Sequence, residues 1–426
     1  MNKQRVRLAT AGIVALALIG AACGSDDDSG SAATDAPAGS EAPAGTDAPA
    51  GTEAPAGTEA PAGTDAPAGS EAPAGTAGGD CAEPEPVSLQ LQWFTQAQFA
   101  GYFAAADQGY YEAMCLDVSF VEGGVEIVPQ TQLANGDVDF AIAWVPKALA
   151  TREAGAEITD IAQIFQRSGT LQVSLADAGI TSVPDFAGKN IGNWGFGNEY
   201  EIFAALAEND LDPATDVTLV GQQFDMVALL DGTIDAAEAM TYNEYAQVLE
   251  SVNPDTGELY TPEELNVISY EDEGVGMLQD AIWADAGRLA DDPEYVDQAT
   301  RFVAASIQGW AYCRDNPEAC RDIVVAAGSQ LGDSHQLWQM NEVNKLIWPS
   351  TGGIGVINDA DWKQTVDISL TTKNQTGDTV LKKAPEGLAF TNDYINQAVT
   401  AAKAAGVDVN GAGFKPQTVT LAAGGA

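Results

Sequence analysis

Two segments of this chain follow the same strand–helix plan, and this internal repeat constrains the fold more than any other feature. Residues 133–141 (LANGDVDFA) match residues 229–237 (LLDGTIDAA), because in both a helix ends at Asn-Gly or Asp-Gly and a strand follows. Tryptophan ends the strand before each match, at Trp93 and at Trp194. Alternating strands and helices favour parallel sheets with right-handed crossovers. The repeat therefore predicts an α/β protein of two lobes, each a mostly parallel sheet flanked by helices, with a cleft between them.

The repeat also predicts where the lobes divide. We expect residues 81–175 and 276–426 to form lobe 1, with its later part helical, and residues 176–275 to form lobe 2. Two chain crossings between the lobes are expected, near Leu171–Ala176 and near Gly276–Trp283. At the first strand end, Thr95 and Gln98 have the spacing of a capping box that would begin the first helix.

The N-terminal segment is predicted to contain an export signal followed by a tether. Basic residues at positions 3, 5 and 7 precede the apolar run 13–19, which is too short to span a membrane, so residues 1–22 read as an export signal. Residues 18–23 (LIGAAC) resemble a bacterial lipobox, which implies lipidation of Cys23; plain secretion with nearby cleavage is the alternative. Residues 23–80 hold seven [DE]-A-P-A-G-[ST] repeats without a large apolar side chain. Such a segment is expected to be a disordered tether.

The odd number of cysteines agrees with the lipidation of Cys23. The chain has five cysteines, and assigning Cys23 to lipid leaves Cys81, Cys115, Cys313 and Cys320. Cys313 and Cys320 flank a helix end followed by an Asn-Pro helix start, so a disulfide there would join two consecutive helices. Cys81 would then pair with Cys115. The rival interpretation of the Cys-X6-Cys spacing is a zinc site, for which further ligands are not evident, so no metal is expected.

Charge excludes several functions. The formal net charge is −44, and from residue 81 onward 51 acidic residues stand against 15 basic ones, so the body is acidic without the tether. A chain this acidic is not expected to bind nucleic acid or to be attracted to anionic lipid. The chain has one histidine, His335, which argues against histidine-dependent metal sites and histidine-based catalytic triads.

Aromatic residues stand beside amides or carboxylates at the predicted strand ends. Ligands of parallel sheets bind beyond the carboxyl ends of strands, where rings stack on flat solutes and amides orient them. Phe99, on a helix stripe, suits the core equally well, and Trp93, Trp194 and Tyr242 have the same alternative. The predicted ligand-binding residues are Trp93, Gln96, Gln98, Phe99, Tyr102, Trp144, Trp194, Phe196, Asn198, Glu199, Tyr242, Asn243 and Glu244. Trp93 and Trp194 are expected to sandwich the ligand from opposite lobes.

These residues resemble a known family. Residues 91–103 (LQWFTQAQFAGYF), 109–111 (GYY), 136–141 (GDVDFA), 183–189 (VPDFAGK) and 239–244 (AMTYNE) are similar to the SsuA/THI5-like, or NMT1-like, substrate-binding proteins of ABC importers. The resemblance covers about 85–315. It implies a two-lobed periplasmic-binding-protein fold of type II that closes on its ligand by a hinge.

The resemblance also implies a function. The signatures are closest to members that bind thiamine pyrimidine precursors or riboflavin, and few basic residues are available for an anion. We expect a monomeric lipoprotein at the outer face of the cytoplasmic membrane that delivers an aromatic heterocycle to a permease, with no cofactor and no enzymatic activity. Three alternatives stay open: an alkanesulfonate or taurine-type ligand, an enzyme using Glu199 or Glu244 as base, and a surface interaction domain without a small ligand.

Overall fold

The computed structural model describes Cys81 and residues 83–425. The predicted export signal at 1–22, the lipidation site Cys23 and the tether at 23–80 lie outside the described residues. Strands in the described part of the chain are β1 (Glu85–Gln90), β2 (Leu116–Val121), β3 (Phe140–Trp144), β4 (Ile158–Gln163), β5 (Thr170–Leu175), β6 (Asn190–Asn193), β7 (Thr218–Gly221), β8 (Ala237–Met240), β9 (Leu265–Ser269) and β10 (Asp280–Asp285).

Helices flank these strands and dominate the last third of the chain. They are α1 (Ala100–Asp107), α2 (Tyr110–Ala113), α3 (Pro129–Ala134), α4 (Val145–Glu153), α5 (Tyr200–Glu208), α6 (Val227–Leu230), α7 (Glu244–Leu249), α8 (Ala286–Asp291), α9 (Pro293–Asp315), α10 (Pro317–Ala326), α11 (Asp333–Ile347), α12 (Asp359–Thr371) and α13 (Asp393–Ala404).

The two sheets have the same plan. In the first sheet the order is β2-β1-β3-β10-β4, and β10 is antiparallel to both of its neighbours while β1 is parallel to β2 and β3. The second lobe has a three-stranded sheet in the order β8-β5-β9, in which β5 is antiparallel to both neighbours, and a parallel pair β6-β7. A parallel bridge from Ile191 to Ala236 brings β6 beside β8, and these five strands together are called the second sheet. Each lobe, defined as one sheet with its flanking helices, therefore has one antiparallel strand among parallel ones, and the predicted two-lobed α/β fold is confirmed.

The antiparallel strand of each sheet is the one that has just entered from the other lobe. The chain leaves the first sheet after β4 and enters the second as β5, so the first crossing is 164–169. It returns through 270–279 to β10. Residues 170–175 were expected in lobe 1, but β5 pairs with β8 and β9 and belongs to the second sheet. The first hinge, predicted near Leu171–Ala176, thus falls mostly on β5. The second, predicted near Gly276–Trp283, overlaps the start of β10.

The core of the first lobe depends on a close helix contact. A Cβ on Gly309 of α9 would lie 1.9 Å from the carbonyl oxygen of Gly101 in α1, and a Cβ on Gly101 would meet the Trp310 ring at 2.1 Å. Only glycine permits this approach. It brings α1 flat against α9, so the apolar residues of α1 point into the core.

The predicted capping box at the start of this region is wrong. The chain makes a short 3₁₀ turn at Ala97–Phe99 whose N-cap is Gln96, without a side-chain cap, and α1 begins at Ala100. The backbone N–H of Thr95 instead donates to Glu122 Oε1 at 2.8 Å. Since Gln96 and Gln98 do not cap a helix, their side chains are free to form other contacts, described below.

Two disulfides join the four remaining cysteines in the pairs that the sequence favoured. Cys81 is bonded to Cys115, which ties the start of the described chain to the turn before β2. Cys313 is bonded to Cys320, and this bond links α9 to α10 across the Asn316-Pro317 helix start.

Candidate functional site: the interlobe cleft

The cleft lies where strand ends of both lobes meet. Its first-lobe wall follows β1, β2 and β3, and its second-lobe wall follows β6, β7 and β8. The cavity between them has a volume of about 150 Å³. The predicted ligand-binding residues that line it are Trp93, Gln96, Gln98, Trp144, Trp194, Phe196, Asn198, Tyr242, Asn243 and Glu244.

Three predicted residues do not line this cavity. Phe99 is fully buried, and Tyr102 packs edge-on against Trp310 with ring centroids 5.6 Å apart. Both face the core because α1 lies directly on α9. Glu199 precedes α5 and accepts a hydrogen bond from the backbone N–H of Gly197 at 3.0 Å, so its carboxylate supports the turn there.

Other lining residues were missed by the sequence analysis. They are Gln92, Gly124, Val125, Ile127, Val128, Pro129, Gln130, Lys147, Phe224 and Met240. The segment from Gly124 to Gln130 follows the end of β2, and Phe224 follows the end of β7. Ligands of parallel sheets bind beyond the carboxyl ends of strands, which is the reason that the tryptophans were predicted. The same reasoning could therefore have predicted both of these segments. Lys147 lies three residues beyond Trp144, in the first turn of α4.

Aromatic rings from both lobes contact one another in the cleft. The Phe224 ring lies 4.5 Å from the Trp93 ring, between centroids, and 5.9 Å from the Trp194 ring, to which it is inclined by only 17°. Trp93 belongs to the first lobe, and the other two rings belong to the second. The Phe224 ring thus contacts both of the tryptophans that were expected to sandwich a ligand.

A buried carboxylate organises the first-lobe wall. Asp280, the first residue of β10, accepts hydrogen bonds from Trp144 Nε1 at 2.8 Å and from Gln98 Nε2 at 2.9 Å. Gln96 Nε2 in turn donates to Gln98 Oε1 at 2.7 Å. Burial raises the pKa of Asp280 to about 7, although these hydrogen bonds and the charge of Lys147 oppose the rise. The chain of contacts holds two amides and one indole in fixed orientations.

One cation faces the cavity. Lys147 Nζ donates to Asn198 Oδ1 at 2.6 Å and lies 4.7 Å from the centre of the Trp144 ring. Burial lowers the pKa of Lys147 to about 8, against the opposing charges of Glu238, Glu199 and Asp280. Its ammonium group thus already has partners within the protein, Asn198 and the Trp144 ring. Lys147 is the only Lys or Arg among the described residues that line the cavity.

Some polar groups of the wall are available to a ligand. Within the described chain, the Tyr242 hydroxyl and the Gln130 side-chain amide have no protein hydrogen-bond partner, and both residues line the cavity. Deeper in the second-lobe wall, Asn243 Nδ2 donates to Glu244 Oε1 at 2.8 Å, and Glu244 Oε2 accepts from the backbone N–H of Met240 at 2.9 Å. The cleft therefore combines stacked rings with oriented amides and one carboxylate.

Two negative findings concern the described residues. No helix in residues 83–425 has the length and apolar character needed to cross a bilayer. In the same part of the chain, no cluster of three or more histidine, cysteine, aspartate or glutamate residues has the arrangement of a metal site.

Comparisons with known proteins agree with this architecture. The chain is 26% identical over 326 residues to the riboflavin-binding protein RibY of Chloroflexus aurantiacus, covering 73% of this chain and 86% of that protein. It is 22% identical over 242 residues to the formylaminopyrimidine-binding protein of Halalkalibacterium halodurans, covering 57% and 70%. The periplasmic aliphatic sulphonate binding protein SsuA of Escherichia coli has the same fold, with a TM-score of 0.50 at 16% identity, over 72% of this chain and 95% of that one.

The family assignment rests on a match to a family model. Residues 96–320, more than half of the chain, match the protein family described as NMT1/THI5 like. This range begins just after the first aromatic strand end, omits β1 and extends to the second disulfide, so it includes most of the cleft described above. The resemblance inferred from the sequence is thus confirmed, and this chain belongs to the NMT1/THI5-like family.

Proposed function

We propose that this protein is the extracytoplasmic substrate-binding component of an ABC importer and that it captures a small, neutral or cationic aromatic heterocycle. The observation that carries the proposal is the cleft itself, where Trp93, Trp194 and Phe224 bring ring faces from both lobes to one cavity. Stacking on an aromatic side chain contributes roughly 1–3 kcal/mol per ring. Amides fixed by Asp280 supply directed hydrogen bonds beside those rings.

The names of relatives support the ligand class. A riboflavin-binding protein and a formylaminopyrimidine-binding protein are 26% and 22% identical to this chain over 326 and 242 aligned residues. A flavin and a pyrimidine are both flat heterocycles with ring nitrogens and exocyclic polar groups, as the cleft chemistry requires. We therefore propose a thiamine pyrimidine precursor or a riboflavin-like compound as ligand.

Capture proceeds by hinge closure. The two crossings at 164–169 and 270–279 connect the lobes, and the ligand would stabilise the closed arrangement of an open–closed equilibrium. We propose that the closed protein, a monomer held at the outer face of the cytoplasmic membrane by lipid on Cys23, then presents the ligand to the permease. The ligand is released chemically unchanged.

Lys147 favours one second candidate, an alkanesulfonate or taurine-type anion. It places an ammonium group on the cavity wall, where a sulfonate oxygen could accept from it. Against this candidate, the group already donates to Asn198, and burial lowers its pKa to about 8, which weakens it as an anion site.

Calorimetric titration of the protein with riboflavin, a formylaminopyrimidine and taurine tests the proposal. We expect one heterocycle to bind, with affinity at least ~10-fold weaker in Trp93→Ala and largely kept in Trp93→Phe, since phenylalanine retains a ring face. Trp93 is only partly buried, so Trp93→Ala should change the melting temperature little. Binding of taurine alone would replace the proposal with the second candidate. A chemically altered heterocycle after incubation would show an enzyme.

A further inference from the structure

A buried chain of hydrogen bonds leads from the protein interior to the cleft wall. His335, the only histidine of the sequence, is fully buried on α11. Its Nδ1 lies 2.9 Å from Glu250 Oε2, and its Nε2 lies 2.9 Å from Asn243 Oδ1. Asn243 Nδ2 continues the chain to Glu244 Oε1 at 2.8 Å. Asn243 and Glu244 line the cavity, so the imidazole contacts a cavity-lining residue from the protein interior.

The helix that carries His335 is attached to both lobes near the cleft. Gln336 Oε1 accepts from the backbone N–H of Ala97 at 2.6 Å, beside the first-lobe wall. Trp338 Nε1 donates to the carbonyl oxygen of Thr241 at 3.0 Å, beside the second-lobe wall. These contacts hold α11 in place, so the position of the imidazole relative to Asn243 is determined by the surrounding fold.

The donor and the acceptor of each hydrogen bond between Glu250 and Glu244 can be assigned. The carboxylate of Glu250 can only accept, so Nδ1 of His335 must carry a proton. Asn243 turns its NH₂ to Glu244 and therefore its oxygen to His335, so Nε2 must carry a proton as well. The imidazole then holds two protons, and the charged groups that face it are the carboxylates of Glu250 and, through Asn243, Glu244. Within the described chain the second N–H of the Asn243 amide has no hydrogen-bond partner, and Asn243 lines the cavity.

The reversed arrangement would present different chemistry. If the Asn243 amide were turned over, its NH₂ would face His335 and its oxygen would face Glu244. A neutral imidazole and a protonated Glu244 would then complete the chain. In that state the amide would offer the cavity an oxygen instead of an N–H. The proton on Nε2 of His335 thus decides which group of Asn243 a ligand meets.

We propose that His335 is a positioning residue for ligand selection, which holds the Asn243 amide so that it donates into the cleft. This inference rests on the proposed function. It implies that the ligand carries a hydrogen-bond acceptor, such as a ring nitrogen or a carbonyl oxygen, opposite Asn243. A ligand offering only a donor at that point would leave two N–H groups facing each other, which costs an unsatisfied buried donor.

Nitrogen NMR of the ligand-free protein tests the positioning directly. Because the chain has a single histidine, ¹⁵N-histidine labelling yields one pair of ring resonances for the native sequence. From the hydrogen-bond geometry we expect both nitrogens to report bound protons in the buffer of the binding titrations. An unprotonated Nε2 would overturn the inference, whatever the protein binds.

Two substitutions then test the effect on the ligand. His335→Gln can still donate to Asn243 Oδ1, whereas His335→Leu cannot, so we expect His335→Leu to weaken binding of riboflavin or the formylaminopyrimidine by ~10-fold or more and His335→Gln to restore most of it. Equal affinities of a folded His335→Leu variant and the native protein would contradict the inference. If His335→Leu does not fold, the NMR result decides.

The two proposals fail in different ways. If neither heterocycle binds the native protein while both ring nitrogens carry protons, the proposed ligand is wrong and the orientation of Asn243 stands. If a heterocycle binds but Nε2 is unprotonated, the proposed function stands and the role of His335 is wrong.

Discussion

Lys147 Nζ donates a hydrogen bond to Asn198 Oδ1 across 2.6 Å, and this contact joins the first lobe to the second at the cleft. Lys147 lies in the first turn of α4, after the Trp144 strand end, and Asn198 follows the Trp194 strand end. Strand ends that belong to the two repeated units are thus bonded to each other. A contact of this kind stabilises the closed arrangement of the lobes, and it leads to the first prediction.

Lys147→Met should weaken heterocycle binding by ~3- to 10-fold. Methionine keeps the apolar stem beside Trp144 but removes the donor to Asn198, and one such hydrogen bond contributes about 1 kcal/mol. Calorimetric titration measures the change. Lys189→Met is the matched control, because Lys189 donates to the carbonyl oxygen of Ala178 away from the cavity wall. Undiminished binding in Lys147→Met would show that the contact contributes nothing to the bound state.

Phe224→Ala should open the ligand-free protein. The Phe224 ring contacts Trp93 of the opposite lobe, and aromatic pairs of this kind contribute about 0.5–1.5 kcal/mol. Removing the ring removes an interlobe contact, so we expect a larger radius of gyration in small-angle X-ray scattering without ligand.

Val227→Ala is the control for this variant. Val227 begins the helix that follows Phe224, and its side chain is 60% exposed. It should leave the scattering curve unchanged. A Phe224→Ala protein as compact as the native one would mean that the ring contact does not hold the lobes together.

Titration of Glu201, whose carboxylate contacts both crossings between the lobes, should make the free energy of unfolding depend on pH. Its carboxylate accepts from Ser168 Oγ at 2.9 Å and from the backbone N–H of Met277 at 2.5 Å, and these partners lie in the two crossings between the lobes. Burial raises the pKa of Glu201 from 4.5 to about 7, although the hydrogen bonds oppose the rise. The folded state therefore binds this proton more tightly than the unfolded state does.

The sign of the effect follows from that difference. The stabilisation is complete below pH 4.5 and is lost as pH rises through about 7. Glu201→Gln keeps the shape and removes the titration. We expect the free energy of unfolding of the native protein, relative to Glu201→Gln, to fall by roughly 3 kcal/mol over this range. Urea denaturation at several pH values measures it, with the exposed Glu258→Gln as control. A pH-independent difference would contradict the prediction.

The two disulfides should differ in their resistance to reduction. Cys313 and Cys320 are fully buried between α9 and α10, whereas Cys81 and Cys115 are partly exposed. Thiol–disulfide exchange requires access of the attacking thiolate to a sulfur atom. Mild reduction of the native protein followed by alkylation and peptide mapping should therefore label Cys81 and Cys115 first. Earlier labelling of Cys313 and Cys320 would show that α10 separates from α9 before the first disulfide becomes reactive.

Much of the fold was predictable because its signals are local. The match between residues 133–141 and 229–237 identified β3 and β8, since helix ends and strand starts depend on neighbouring residues. Sheet membership of β5 was not predictable in this way. Its alternating pattern suits either sheet, and the pairing partners that decide between them lie about 65 to 100 residues further along the chain.

The sequence by itself determined that rings and amides stand at the strand ends, because the carboxyl ends of parallel strands meet at one edge wherever that pattern occurs. Only the tertiary structure decided which way each side chain points. The close contact of Gly101 with Gly309 turns Phe99 and Tyr102 into the core, and the approach of the two lobes brings Lys147 to Asn198 and Phe224 to Trp93. These outcomes depend on packing between distant segments, which the order of residues along one segment does not encode.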